Sequence, residues 1–129
     1  MKYFFIAFRK WNDINGRANL KEFWYYTLFH FLFYLLFALI DILFINDFLI
    51  SSGEFVPEDF VDGGILSTIY LLINIIPSLT CSIRRMHDTN KSGWNLLWTL
   101  TIIGVLYIWL LYILKGTNGA NDYGEPSTV

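Results

Sequence analysis

Arg84, Arg85, His87 and Asp88 fall within five residues of one another. With Lys91 they form the only stretch of this 129-residue chain in which basic, acidic, imidazole and turn-forming groups crowd together. A guanidinium can grip a phosphate or a carboxylate through two parallel N–H bonds, which makes Arg85 the natural anion ligand. His87 beside Asp88 can move a proton, because a neighbouring carboxylate raises an imidazole pKa toward neutrality. Two sequence neighbours rarely complete a catalytic set, however, and no serine or cysteine nucleophile is supplied beside them. The structural alternative has the arginines reaching for lipid phosphates and Asp88 capping the turn. It weighs more, so no residue is assigned a catalytic role and no enzyme is expected.

What positions this loop is apolar. The chain is 55% hydrophobic, 19% aromatic and 16% charged, against about 25% charged in a soluble domain. Charge is expensive to bury, so the shortage points to a chain solvated mainly by lipid. The expected fold is all-α and integral to the membrane, one domain over 1–129. It has an interfacial segment over 1–22, transmembrane helices over 23–44, 65–83 and 94–114, and a polar tail over 115–129. The first span extends about 33 Å as a helix, against roughly 30 Å of hydrocarbon. Asn19 is placed to cap it, with Glu22 in its first turn. Phe23, Trp24, Tyr25 and Tyr26 form an aromatic belt at its entry. The aromatic and basic start, Lys2 to Trp11, reads either as a helix lying on the cytoplasmic leaflet or as a segment packed on the bundle. A cleaved signal peptide is a poor reading of it.

Polar residues inside spans are informative because lipid leaves them unsatisfied. His30, Tyr34 and Asp41 share one face of the first span. Ser67, Tyr70, Asn74, Ser78 and Cys81 share one side of the second, where Pro77 should kink the helix. Helix-to-helix hydrogen bonds are the favoured reading, and a proton or ion path the sharper one. The loop 46–64 carries five carboxylates and neither lysine nor arginine. It lacks the alternating ligands of a calcium loop and reads as solvated. A lone cysteine excludes a disulfide framework and a thiolate metal cage, and no metal or cofactor is expected. Nucleic-acid binding is excluded by the want of a basic face.

Lysine and arginine near spans mark the cytoplasmic side. Five precede the first span, none lie in the first loop, three lie in the second and one begins the tail. Three crossings thus predict a cytoplasmic N-terminus and 84–94 loop, with the acidic loop and the tail outside.

Three motifs carry a family resemblance. Gly16-Arg17-Ala18 with Glu22-Phe23-Trp24, Arg84-Arg85-Met86-His87-Asp88-Thr89 with Ser92-Gly93-Trp94, and Gly116-Thr117, Gly119 and Asn121-Asp122-Tyr123-Gly124 occur in that order. Together they resemble the bacterial membrane family catalogued as domain of unknown function 805. Met86 stands where leucine is usual in that family, and Asp122 where arginine is common. The resemblance implies a bacterial inner-membrane protein and supplies no substrate. If its three motifs form one site, 94–114 must fold back on itself, with Gly104 at the turn. Segments of about ten residues are short for ordinary spans, so three crossings remain the expectation.

Two functions follow. The leading one is a non-enzymatic protein acting by interaction, whose cytoplasmic face holds lipid headgroups or a membrane protein partner, a second copy included. Its candidate residues are Gly16, Arg17, Glu22, Trp24, Arg84, Arg85, His87, Asp88 and Trp94. The rival is an oligomeric transporter or channel subunit with a polar path through His30, Tyr34, Asp41 and Asn74. A membrane enzyme around His87 and Asp88 ranks third.

Overall fold

The computed structural model describes residues 2–45, 48, 51 and 64–128. The acidic-loop reading lies, apart from Gly64 and two isolated positions, outside the described residues. Among the described residues four α-helices run in order: α1, Lys2–Arg9; α2, Leu20–Ile40; α3, Ile65–Asp88; and α4, Ile102–Ile113. A π-helical turn, Asp41–Ile45, follows α2, and a 3-10 helix, Gly93–Leu100, precedes α4. The described residues hold no strand, only one isolated bridge between Asn121 and Gly124. The chain divides into two compact units, Met1–Thr27 with Ile76–Val129, and Leu28–Ile75.

Leu20–Ile45 and Ile65–Asp88 are long and apolar enough to cross a membrane. A helix apolar on every side must be enclosed by protein or by lipid. In α2, Phe31, Leu35, Leu36 and Leu39 are each 46–54% exposed, so hydrocarbon is their remaining solvent.

Within the Leu28–Ile75 unit, the polar residues of the spans pair with one another. Asp41 is buried and accepts the amides of Leu66 (2.9 Å) and Ser67 (2.7 Å), two of the free donors that open α3. Gly64 allows this approach, since a Cβ there would lie 2.6 Å from Asp41 Oδ2. His30 Nδ1 lies 3.1 Å from the Tyr70 hydroxyl, which donates to the His30 carbonyl. Asn74 donates to the Tyr70 carbonyl at 2.8 Å. Among the described residues Tyr34 joins none of these bonds.

In the other unit the opening behaves as its residues suggest. Asp13 Oδ1 accepts the amides of Asn15 and Gly16, closing a side-chain turn. Asn19 caps α2 by accepting the Glu22 amide at 2.8 Å. Phe4 and Ala7 of α1 are buried, and the Phe4 ring stacks 5.8 Å from Tyr26.

The expected third rod over 94–114 is two helices. Ser92 caps the first, its hydroxyl accepting the Trp94 amide, and Thr101 ends it in an extended conformation. The Thr101 hydroxyl then accepts the Gly104 amide at 3.0 Å and starts α4. Eight residues of 3-10 helix rise about 16 Å and twelve of α-helix about 18 Å. Each falls short of the roughly 30 Å hydrocarbon layer. The two pack on each other, and Gly104 permits it: a Cβ there would collide with the Trp98 carbonyl oxygen. The break is thus at Thr101, three residues before the glycine that sequence reasoning would have placed at a turn. Its cause is side-chain capping, in which a hydroxyl competes for backbone amides. Met86, Ile108 and Leu111 form the buried core beside it, flanked by Leu96, Tyr107 and Tyr112. Met86 is thus an ordinary core residue.

Candidate functional site

The apolar run of α3 ends at Ile83. Its last turn brings Arg84, Arg85, His87 and Asp88 against the 13–24 segment and the tail, all within one unit. Asp88 is the centre. Its Oδ1 accepts from Arg17 Nε (3.1 Å) and Nη2 (3.0 Å), and its Oδ2 from Arg85 Nη1 (2.6 Å). Arg17 extends further, donating from Nη1 to the carbonyls of Gly119 (2.7 Å) and Gly124 (3.1 Å), and from Nη2 to Thr117 (2.7 Å). These five bonds use all five guanidinium protons. Arg17 is therefore fully engaged inside the protein, and its side chain is 1% exposed.

Arg85 joins Asp88 to the end of α4, where Nη2 donates to the carbonyls of Leu111 (3.2 Å) and Leu114. Terminal helix carbonyls lack intrahelical donors and carry partial negative charge, so a buried guanidinium satisfies them twice over. Arg84 Nη1 pairs with Glu22 Oε1 at 2.5 Å, and Glu22 Oε2 accepts from the Ser127 hydroxyl at 3.0 Å. Arg84 Nε and Nη2 and Arg85 Nε have no acceptor among the described residues.

The tail is held by backbone as well. Thr117 donates its amide (2.8 Å) and its hydroxyl (3.2 Å) to the Asp88 carbonyl. Asn121 Nδ2 donates to the His87 carbonyl at 2.9 Å. Gly116 is required where it stands, because a Cβ would come within 2.5 Å of Asp88 Cγ. Gly119 and Gly124 adopt positive φ, 75° and 102°, angles that suit glycine, and so turn their carbonyls onto Arg17.

His87 and Asp88 do not form an acid–base pair. The imidazole Nδ1 bonds the Gly16 carbonyl at 3.2 Å, and the ring stacks on Tyr123 at 3.9 Å and 5°. A carbonyl only accepts, so Nδ1 carries the proton. Asp88 faces two arginines instead of the imidazole. Trp24 lies beside the cluster, donating to the Tyr112 carbonyl at 3.2 Å. Trp94 stands apart from it, 78% exposed.

The three sequence motifs thus meet, and the expected separation of the tail from the other two is not what the contacts give. Sequence reasoning missed the acceptors of Arg17 and Arg85, since five of them are backbone carbonyls with no side-chain signature. It also missed Ser127 as a partner of Glu22. The described residues contain no His, Cys, Asp and Glu group able to hold a metal ion. Beside the cluster opens a cavity of about 380 Å³, lined by Tyr3, Asn19, Leu20, Lys21, Lys115 and Asn118 among others.

Known proteins are similar to this chain over nearly its whole length. Inner membrane protein YhaI of Escherichia coli (strain K12) is 32% identical over 126 residues, covering 97% of this chain and 94% of its own. Inner membrane protein YhaH of the same organism is 30% identical over 125 residues, covering 96% and 94%. No solved structure matches the chain. The profile of the proteins of unknown function designated DUF805 matches residues 11–125, from the Asp13 turn through the tail glycines that Arg17 holds. The chain belongs to that family.

Proposed function

We propose that this is a two-crossing inner-membrane protein that acts by interaction rather than catalysis, presenting a rigid cytoplasmic face to anionic lipid headgroups. The observation that carries the reading is the capture of the tail by Arg17 and Asp88. If the tail shares a face with the N-terminal segment and the 84–94 loop, all nine lysines and arginines lie on that face. The 46–64 loop then faces the other side with none, the full form of the positive-inside bias.

The arginines are the frame of this face rather than its contact surface, since their protons are directed inward. Contact falls to Lys21 and Lys115, both exposed at the 380 Å³ cavity. The opening turn of α2 lies in the same wall, where free amides favour an anion. A phosphate there meets two ammonium groups and a helix N-terminus together. The rival polar path has less support, because His30 and Asp41 are each committed to helix-pairing bonds and Asn74 bonds the Tyr70 carbonyl one turn back in its own helix.

Full-length protein in phosphatidylcholine nanodiscs doped with phosphatidylglycerol tests this. Native mass spectrometry should show retained anionic lipid on the parent and several-fold less on Lys21→Gln/Lys115→Gln. Equal retention by both would remove the reading.

A further inference from the structure

A second cavity, of about 520 Å³, is lined by His87. Its wall is built along one ridge of α3, where Leu79, Ile83 and His87 recur every fourth residue, and is completed by Trp94 and Leu97 of the 3-10 helix. The ridge descends about 12 Å from His87 to Leu79, from the charged turn into the apolar run. Leu79 is 52% exposed and Leu97 57%, so the lower end faces hydrocarbon. Volume and apolar lining are those of a small-ligand site.

The upper end is polar and uncharged. Asn15, His87, Ser92 and Tyr123 line it, and no lysine, arginine, aspartate or glutamate does. His87 Nδ1–H is committed to the Gly16 carbonyl, so the neutral ring carries its lone pair on Nε2. That nitrogen is an acceptor fixed by the Tyr123 stack, and it calls for a hydroxyl or amide donor.

We propose that this cavity binds one uncharged glycerolipid with a free hydroxyl, a diacylglycerol, whose hydroxyl donates to His87 Nε2 while an acyl chain lies along Leu79 and Ile83. The occupant is a lipid because the groove opens among side chains that hydrocarbon already solvates. It is uncharged because no ion lines the polar end to receive a phosphate, in contrast with the cavity at Lys21 and Lys115. It is a donor because the histidine nitrogen left over can only accept.

The test uses the full chain in phosphatidylcholine nanodiscs with a diazirine-bearing diacylglycerol and, in parallel, its hydroxyl-acetylated counterpart. On the parent, labelling should map to peptides containing Leu79, Ile83 or Leu97, with the free hydroxyl labelling at least five-fold more than the acetate. Leu97→Trp fills the groove without touching the arginine cluster and should cut labelling about ten-fold. His87→Phe keeps the ring stack on Tyr123 and should leave labelling present but erase the preference for the hydroxyl. Labelling scattered over both spans, or unchanged in Leu97→Trp, overturns the site. Equal labelling of the parent by alcohol and acetate overturns the role of His87.

Discussion

Removing the carboxylate of Asp88 is the sharpest test of the arginine cluster. Asp88→Ala deletes three charge-assisted bonds, at 3.1, 3.0 and 2.6 Å, to two guanidiniums. The side chains of both arginines are at most 1% exposed, so neither can turn to water for compensation. Breaking a buried pair from one side costs about 3–5 kcal/mol, chiefly because a charge is left without its counter-ion. Arg17 retains three carbonyl acceptors and Arg85 two, which argues for the lower half of that range. A folded domain has only about 5–15 kcal/mol in hand. The expected fall in melting temperature in detergent is roughly 10 °C or more. Asp88→Asn keeps the shape and one acceptor oxygen and should fall between this variant and the parent. Because Thr117 bonds the Asp88 carbonyl and Arg17 bonds the tail glycines, Asp88→Ala should also loosen 117–124 and expose it to limited proteolysis. A melting temperature equal to the parent's, with the tail still resistant, would refute the claim that Asp88 organises this face.

Gly116→Ala should destabilise by about 1–3 kcal/mol through overpacking against the Asp88 carboxylate. In an Asp88→Ala background the same change should cost little, and a double-mutant cycle in thermal melts measures that coupling. Single cysteines at Lys91 and Ala120, placed in a Cys81→Ser background, should react with an impermeant maleimide only after the cytoplasmic side is opened. Labelling of the two from opposite sides would contradict the tail contacts. Arginine-to-lysine substitutions should rank by the acceptors each guanidinium serves, Arg17→Lys costing most, Arg85→Lys less and Arg84→Lys least, since an ammonium offers three donors and no planar fork. Stability measured for the three variants in another order would break the link between acceptor count and role.

The sequence makes legible whatever side chains announce. The two long apolar runs and the Asn19 cap follow from residue type and spacing. The third apolar run is where this reasoning failed. Average hydropathy over 94–114 is blind to one threonine that caps the helix after it and ends the helix before it. A lysine and arginine count could not correct the error, because Lys115 alone weighs little on whichever side it falls. The acceptors of Arg17 were invisible for a different reason. Gly119, Gly124 and Thr117 contribute carbonyls, and only the positive φ of the two glycines, hinted at by residue type, aims them.

These two omissions have one physical cause. A helix too short to cross the hydrocarbon must end somewhere, and its final carbonyls need donors wherever that is. In α4 they are met by Arg85, whose own charge is balanced by Asp88, whose other oxygen holds Arg17, which in turn closes the tail. Folding back at Thr101 and burying Arg85 at the end of α3, with Arg17 across Asp88 from it, are therefore one requirement seen from two ends. A straight third rod would carry Leu111 and Leu114 away from Arg85 and strand its guanidinium in the core. An apolar residue at position 85 would leave the two carbonyls bare in the folded-back arrangement. The dense polar cluster thus closes the end of a helix that folds back at Thr101. Any activity at this face has to use what that frame leaves exposed.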